Sequence, residues 1–200
     1  MIPVLTGLGL AVAAGLNAWA VILLFNGLYL LLPQDFPGGV SAFLASPAVL
    51  QIALVMFLAE FVVTKIPFAD RFWEAAQTLL RPIVGALLAL AAIGEVSILA
   101  RIGVAALAAL VTLASHAAKF TSRLTSTAAT RGFAQLALSI AEDFVAIMLA
   151  ILLFFQPWLT ALFLAALVAV LLMHGRRVRR GLQVLFFRIQ HPRRHRGETA

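Results

Sequence analysis

Residues 134–175 read AQLALSIAEDFVAIMLAILLFFQPWLTALFLAALVAVLLMHG, which is two apolar runs separated by Gln156 and Pro157. Each run approaches the roughly 20 residues that an α-helix needs to cross the hydrocarbon core of a bilayer. A polar residue followed by proline interrupts a helix, because proline lacks the amide donor and clashes with the preceding turn. The stretch therefore predicts a hairpin of two transmembrane helices, over 134–156 and 157–175.

The composition of the whole chain extends this prediction. Of its 200 residues, 63% are hydrophobic and 12% are charged, and the mean hydropathy is +1.04. Globular proteins have about 45–50% apolar and about 25% charged residues, so too little polar surface remains here to cover a soluble core. Further apolar stretches lie at 5–32, 47–66, 82–100 and 102–122. We therefore expect an all-α, polytopic transmembrane helix bundle with about six spans.

Charge divides the chain into two regions. Residues 1–175 contain seven basic and seven acidic side chains, whereas the last 25 residues contain eight arginines and one acid, Glu198. This predicts a transmembrane domain over 1–175 and a basic cytoplasmic tail over 176–200. We expect both termini to be cytoplasmic, because 14 of the 15 basic residues then lie inside and Arg101 alone lies outside, which is the distribution that membrane proteins favour. Since the basic excess is confined to the tail, we expect no nucleic-acid partner.

Two segments have the pattern of amphipathic helices that lie along the membrane surface. In residues 68–80, Glu74 and Gln77 fall on a polar face opposite several apolar side chains. The tail segment 176–190 combines an apolar stripe with arginines, and we expect these to attract anionic lipids of the inner leaflet or to bind a partner protein. The arginines predicted to make these contacts are Arg176, Arg177, Arg179 and Arg180.

Ionisable side chains inside the predicted spans require an explanation, because each costs free energy in a bilayer. In the fourth span, polar residues recur at helical spacing and share one face: Thr112, His116, Lys119, Arg123, Thr127 and Thr130. The fifth span has a similar set of polar residues at helical spacing: Gln135, Ser139, Glu142 and Asp143. Because the two spans are predicted to be antiparallel neighbours, we expect Lys119 or Arg123 to pair with Glu142 or Asp143.

The first half contains a thinner set of such residues, with Asn17 in the first span and Glu60 and Lys65 in the second. Two interpretations remain open at this point. The charges are either paired ions that stabilise the bundle, or the lining of a pathway for a small solute, ion or lipid headgroup. The predicted polar core or pathway consists of Asn17, Glu60, Lys65, His116, Lys119, Arg123, Glu142 and Asp143.

Signals for enzyme chemistry are weak. The chain has no cysteine, and its histidines are not spaced as metal ligands. It also lacks a phosphate-binding glycine loop and a nucleophile elbow. We therefore expect no cofactor, no metal and no catalytic residues.

A faint internal repeat relates residues 57–62 (FLAEFV) to residues 139–144 (SIAEDF) around an apolar-Ala-Glu centre. The first lies in the second predicted span and the second in the fifth. Two three-helix units in one chain would have opposite orientations, which is a plan common in secondary transporters. The repeat thus predicts two inverted three-helix repeats.

Short motifs in a characteristic order resemble a known family. They are Gly15-Leu16-Asn17, Ser46-Pro47, Glu60 with Lys65-Ile66-Pro67 and Asp70, Arg81-Pro82 with Gly85-Ala86, His116 with Lys119, Ser126-Thr127 and Glu142-Asp143. Together, over about residues 5–160, they resemble the bacterial membrane-protein family called domain of unknown function 4126. The resemblance implies a multi-pass protein of the bacterial inner membrane and brings no established activity.

The function predicted from the sequence is a small transporter or permease-like protein with a polar cavity that faces the cytoplasm. One alternative is an accessory or scaffold subunit that docks on a larger membrane protein complex. Another is a membrane-embedded enzyme acting on lipid. The expected partners are the lipid bilayer and either a membrane protein complex or further copies of the same chain.

Overall fold

The computed structural model describes residues 1–36, 38–63, 69–126, 133–169 and 172–173, with side chains omitted at 69–71, 120–126 and 133–139. Among these residues all regular secondary structure is helical, and the helices are joined by short turns and loops. The helices are α1 (Ile2–Leu16), α2 (Ala18–Leu31), a 3-10 turn (Pro33–Asp35), α3 (Gly39–Leu44), α4 (Pro47–Val63), α5 (Ala69–Ile93), α6 (Ile98–Ser126), α7 (Phe133–Phe155) and α8 (Trp158–Ala169).

Two helices are long and apolar enough to cross a membrane, Phe72–Ile93 within α5 and Ile98–Lys119 within α6. The helices α1, α2, α4 and α8 are apolar but shorter, each having 10–17 described residues. The fold is therefore all-α, with two candidate membrane spans by length and composition. The helix ends near Pro47 and at Gln156-Pro157 lie where the sequence predicts them.

The prediction of a single span over 5–32 is wrong. The helix breaks at Asn17, whose backbone is extended with φ −149° and ψ 100°. Asn17 ends α1 and caps α2, because its side-chain Oδ1 accepts a hydrogen bond from the amide of Ala20 at 3.0 Å. Asparagine is one of the preferred residues at this position, since a short polar side chain satisfies an amide that the helix leaves unpaired.

The chain reverses direction at this break. Along α1, Gly7 packs against Ala89 near the end of α5, and Gly15 accepts a hydrogen bond from Arg81, two turns earlier in α5. The helix α1 is therefore antiparallel to α5 and penetrates to the middle of that helix. Since α5 includes a candidate span, α1 ends at about half its depth.

The helix α2 returns toward the end of the bundle where α1 begins. Its Asn26 donates a hydrogen bond to the carbonyl of Leu44 in α3, and Ser41 of α3 donates to the carbonyl of Ala91 near the end of α5. Phe25 of α2 lies 4.7 Å from Phe36 between ring centroids. We call α1 and α2 the hairpin, residues 15–18 its tip, and the end that packs on α3 its base.

The structure also corrects two expectations about the other helices. The segment 68–80 is not a separate surface helix, since residues 69–93 form one continuous helix α5 with Pro82 in its interior. Packing against α1 and α6 stabilises the turns on both sides of this proline, although proline removes one backbone hydrogen bond. The helices also do not match as two inverted three-helix repeats. The first predicted span, over 5–32, would correspond to α6, but α6 is continuous over 98–126 whereas the first span is broken at Asn17.

Candidate functional site

Arg81 of α5 is fully buried beside the tip and connects three helices. Its Nη2 donates to Glu60 Oε1 of α4 at 2.8 Å, and its Nη1 donates to the carbonyl of Gly15 at 3.1 Å. The same Nη1 lies 2.5 Å from His116 Nδ1 of α6 and 3.8 Å from a carboxylate oxygen of Glu74. A guanidinium has only donors, so Arg81 brings together acceptors that would otherwise be unpaired in the interior.

The arrangement around His116 determines its tautomer. Its Nδ1 must accept from Arg81, because the guanidinium cannot accept, and the ring proton is therefore on Nε2. Nε2 then donates to the hydroxyl of Thr78 at 3.0 Å, and this hydroxyl donates to the carbonyl of Glu74 at 2.8 Å. His116 is thus a neutral link in a chain of buried hydrogen bonds.

Lys119 of α6 binds the other side of the tip. Its Nζ donates to the carbonyl of Leu16 at 2.5 Å and lies 3.5 Å from Glu142 Oε2 of α7. The structure therefore contains the pair of Lys119 and Glu142 that the helical spacing predicted. The carbonyls at the end of a helix have no partner inside it and carry partial negative charge, so a cation is favourable there.

The carbonyls one turn earlier in α1 are also bound by side chains of α6. The hydroxyl of Thr112 donates to Ala11 at 3.0 Å, and that of Ser115 donates to Val12 at 2.8 Å. Gly15 allows this close approach, since a Cβ at its position would lie 2.5 Å from the Cβ of Ser115. The broken end of α1 is therefore satisfied by protein groups, as buried backbone polar groups must be.

Asp143 of α7 completes the cluster around the tip. Its Oδ1 accepts from Asn17 Nδ2 at 2.8 Å. The carboxylate of Glu60 interacts electrostatically with Asp143, Arg81, Lys119 and Glu74, so the charges around the tip act on one another. Within the described part of the chain, Glu60 Oε2 and Arg81 Nε are buried and have no hydrogen-bond partner.

The structure brings together most of the residues that the sequence predicted for a polar core: Asn17, Glu60, His116, Lys119, Glu142 and Asp143. Lys65 and the side chain of Arg123 lie outside the described residues, as do the tail arginines Arg176, Arg177, Arg179 and Arg180.

The central residue of the cluster, Arg81, was not among the predicted residues, and neither were its neighbours Glu74 and Thr78. The sequence placed Glu74 and Gln77 on a face exposed to headgroups, but the structure buries both. The signal was present as polar side chains at positions 74, 77, 78 and 81, which repeat at helical spacing. The prediction of a surface helix over 68–80 and a separate span over 82–100 divided that stripe from the rest of α5.

An apolar cavity of about 290 Å³ opens beside the tip, between α2, α4 and α7. Its lining residues are Ala20, Leu23, Leu24, Phe57 and Ile147. Among the described residues, no group of three His, Asp or Glu side chains is arranged to hold a metal ion. The charged and polar side chains of the cluster can bind charge and can make and break hydrogen bonds.

Comparison with known proteins assigns the chain to a family. A search of the curated proteins and a search of the solved structures each found no match. The family model described as "Domain of unknown function (DUF4126)" matches residues 4–177, which is most of the chain. The chain therefore belongs to the DUF4126 family.

Proposed function

We propose that the protein is a small transporter of the bacterial inner membrane, in which the hairpin enters the bilayer from one side and its tip lies in a substrate pathway. The observation that carries this proposal is the helix break at Asn17, surrounded by buried charges at about half the depth of α5. Broken helices whose ends meet near the bilayer midplane form the substrate and ion sites of many secondary transporters.

The hairpin changes the proposed topology. In this arrangement α4, α5, α6, α7 and α8 cross the bilayer, and the hairpin replaces the sixth span. The base of the hairpin lies at the same end of the bundle as the link between α5 and α6, because Gly38 lies beside Glu95. The concentration of basic residues at the opposite end indicates that this opposite end is cytoplasmic. We therefore propose that the N-terminus is periplasmic, in contrast to the placement predicted from a single first span.

The cost of burying so many charges supports a role in transport over a purely stabilising role. Three ion pairs and a histidine buried together cost desolvation energy, and apolar packing of similar volume serves stability equally well or better. The exposed apolar side chains of α4 and α6 do not distinguish the alternatives, because they would face lipid in a transporter and a partner in an accessory subunit. No specific observation among the described residues favours an enzyme acting on lipid.

Labelling of introduced cysteines tests whether the tip is reached by water. The chain has no cysteine, so each variant contributes a single thiol. Ala18→Cys places a thiol at the tip, and Ala150→Cys places one in the apolar interior of α7; both alanines are fully buried. A membrane-impermeant maleimide is applied to intact cells and to inverted vesicles, and labelling is measured by a gel shift.

For a transporter we expect Ala18→Cys to be labelled in inverted vesicles and, more slowly, in intact cells, while Ala150→Cys stays unlabelled. Protection of both thiols from both sides would contradict the pathway and indicate a sealed bundle. In the same vesicles, Ile2→Cys tests the proposed topology, since Ile2 is exposed. Labelling of Ile2→Cys in intact cells is expected, and labelling only in inverted vesicles would overturn the periplasmic N-terminus.

A further inference from the structure

One guanidinium nitrogen of Arg81 connects the tip of the hairpin to His116. This nitrogen, Nη1, donates to the carbonyl of Gly15 at 3.1 Å and to His116 Nδ1 at 2.5 Å. Each Nη nitrogen of a guanidinium carries two hydrogens, so Nη1 can serve both acceptors at once. Any change that moves Nη1 away from the histidine therefore also acts on the tip.

A proton on His116 Nδ1 is such a change. The lone pair of Nδ1 accepts from Arg81, and the same lone pair would bind a proton. Since Nε2 already carries a proton and donates to Thr78, an added proton can bind only at Nδ1. Two buried positive charges would then face each other, donor against donor, and like charges repel strongly in the interior. A proton and the hydrogen bond from Arg81 thus exclude each other at Nδ1.

Glu74 provides the counter-charge that a protonated His116 needs. One of its carboxylate oxygens, Oε2, lies 3.8 Å from Arg81 Nη1 and also 3.8 Å from His116 Nδ1. This carboxylate can therefore pair with the guanidinium before protonation and with the imidazolium after it. Arg81 retains Glu60, to which its other nitrogen, Nη2, donates at 2.8 Å. The exchange leaves neither cation without an anion, so the large cost of an unpaired buried charge does not arise.

The remaining charges near His116 do not replace Arg81 in this exchange. The helices that pack most closely on α6 are α5 and α1, and α1 has no titratable side chain. Of the charged groups on α5 and α6, Arg81 opposes a charge on His116 most strongly, Lys119 opposes it less, and Glu74 favours it. The cluster also contains the carboxylates Glu60, which is bound to Arg81, Glu142, which lies 3.5 Å from Lys119, and Asp143, which is bound to Asn17.

We propose that the proton is the coupling ion of transport and that it binds at His116 Nδ1 in exchange for Arg81, which releases the tip. The proton comes from water and forms an N–H bond with the lone pair of Nδ1. On release this bond breaks and the proton returns to water, so no other reactant is consumed. The proposal rests on the proposed transport function, because it names the coupling ion of the same site. Proton binding itself does not require transport, and the two claims can fail separately.

Nuclear magnetic resonance tests proton binding at His116 directly. The full-length protein carries ¹⁵N-labelled histidine in nanodiscs of uncharged lipid, and His174, His191 and His195 are replaced by glutamine so that His116 gives the only signal. The nitrogen chemical shifts show which ring atoms carry a proton. The titration runs from about pH 8 to about pH 4, a range that includes the ordinary titration of histidine. We expect a proton on Nε2 alone at the alkaline end and on both nitrogens at the acid end.

Two variants test the exchange, and each has a matched control. In Arg81→Gln, half-protonation of His116 should need at least ten-fold less acid, because the opposing cation is gone. In Glu74→Gln it should need at least ten-fold more, because the counter-charge is gone. Arg101→Gln and Glu95→Gln break an exposed pair and should leave the titration unchanged. Circular dichroism shows whether each variant is folded, and Glu74→Gln keeps the test decisive if Arg81→Gln is not.

The link from the proton to the tip is tested by labelling Ala18→Cys in inverted vesicles over the same pH range. The rate is compared between chains that contain His116 and chains that contain His116→Gln, whose side chain can accept from Arg81 but cannot take up a proton. The reactivity of the thiol changes with pH, but it does so in both chains, and the ratio of the two rates removes this effect. We expect a ratio near one at about pH 8 and a rise of at least ten-fold in acid.

The outcomes separate the two proposals. If His116 keeps a proton on Nε2 alone throughout the titration, or if the labelling ratio does not change with pH, the proton is not the coupling ion. Labelling of Ala18→Cys at neutral pH would in that case leave the transport proposal standing. Protonation of His116 that responds to Arg81→Gln and Glu74→Gln, with a tip never labelled at any pH, would support the proton site and contradict transport.

Discussion

The tip and the base of the hairpin are stabilised by different forces. At the tip, the carbonyls of Gly15 and Leu16 bind the cations of Arg81 and Lys119. At the base, Phe36 packs between Phe25 and Phe154, with ring centroids 4.7 and 5.1 Å apart. Charged hydrogen bonds are strong and directional, whereas aromatic rings are stabilised by the apolar area they bury and by the geometry of their contacts. The comparison indicates that the tip is positioned by polar groups of α5 and α6, and the base by apolar packing.

The largest expected effect comes from removing the cation at the tip. Arg81→Gln removes the cation that is hydrogen-bonded to Glu60 and weakens the hydrogen bond to Gly15. Breaking one side of a buried pair costs about 3–5 kcal/mol, because the remaining charge stays desolvated. We expect this loss in the free energy of unfolding, measured by titration with dodecyl sulfate and followed by circular dichroism.

The matched control for that variant is Arg101→Gln, which breaks a pair with Glu95 whose side chain is 71% exposed. Exposed pairs contribute about 0–1 kcal/mol. If both arginine variants unfold alike, the tip is not stabilised by the buried pair.

The base should be the next most sensitive region. Phe25→Ala removes a fully buried ring from the aromatic contact with Phe36 and leaves a cavity. In soluble cores this change costs about 3–5 kcal/mol, but lipid competes with apolar packing, and we expect about 2–3 kcal/mol here. The same titration measures it, with Phe144→Ala as the control because that ring is 62% exposed. An equal effect of the two variants would show that the base is not a packed core.

Two glycines of the hairpin should respond with opposite signs. At Gly15 a new Cβ would lie 2.6 Å from the carbonyl oxygen of Thr112, whereas at Gly27 it would meet no atom within 4 Å. Gly15→Ala should therefore destabilise the protein by about 1–3 kcal/mol through overpacking. Gly27→Ala should stabilise it by about 0.5–1 kcal/mol, since alanine has the higher helix propensity. Destabilisation by Gly27→Ala would contradict the open space at Gly27. The absence of destabilisation in Gly15→Ala would contradict the close approach of α6 at the tip.

The smallest effect concerns the cap at the break. Asn17→Ala removes the hydrogen bond to the Ala20 amide together with the donor to Asp143, and loss of the cap alone costs about 1 kcal/mol. Asn17→Ser retains an oxygen that can accept from the Ala20 amide and should recover the cap, although not the contact with Asp143. Amide hydrogen exchange at Ala20 measures the local effect directly. Equally fast exchange in the two variants would show that the side chain does not cap α2.

The site was only partly predictable. Lys119 and Glu142 could be paired from the sequence, because both lie on regular helices whose spacing determines which side chains share a face. Arg81 could not be placed in this way. Its helix contains Pro82, and a local rule predicts a break there. Tertiary contacts with α1 and α6, which a local rule does not include, outweigh it.

The sequence by itself determined the helical class, the helix ends near Pro47 and at Gln156-Pro157, and the presence of costly charges in an apolar chain. These properties follow from the local composition and from the spacing of polar and apolar residues, and they do not depend on which helices pack together. Only the tertiary structure decided that residues 5–32 form a hairpin rather than a span. Hydropathy is equally high along both halves, and one Asn is compatible with either path. The reversal is favourable because the carbonyls freed at the break bind Arg81 and Lys119, two cations that lie 66 and 103 residues further along the chain.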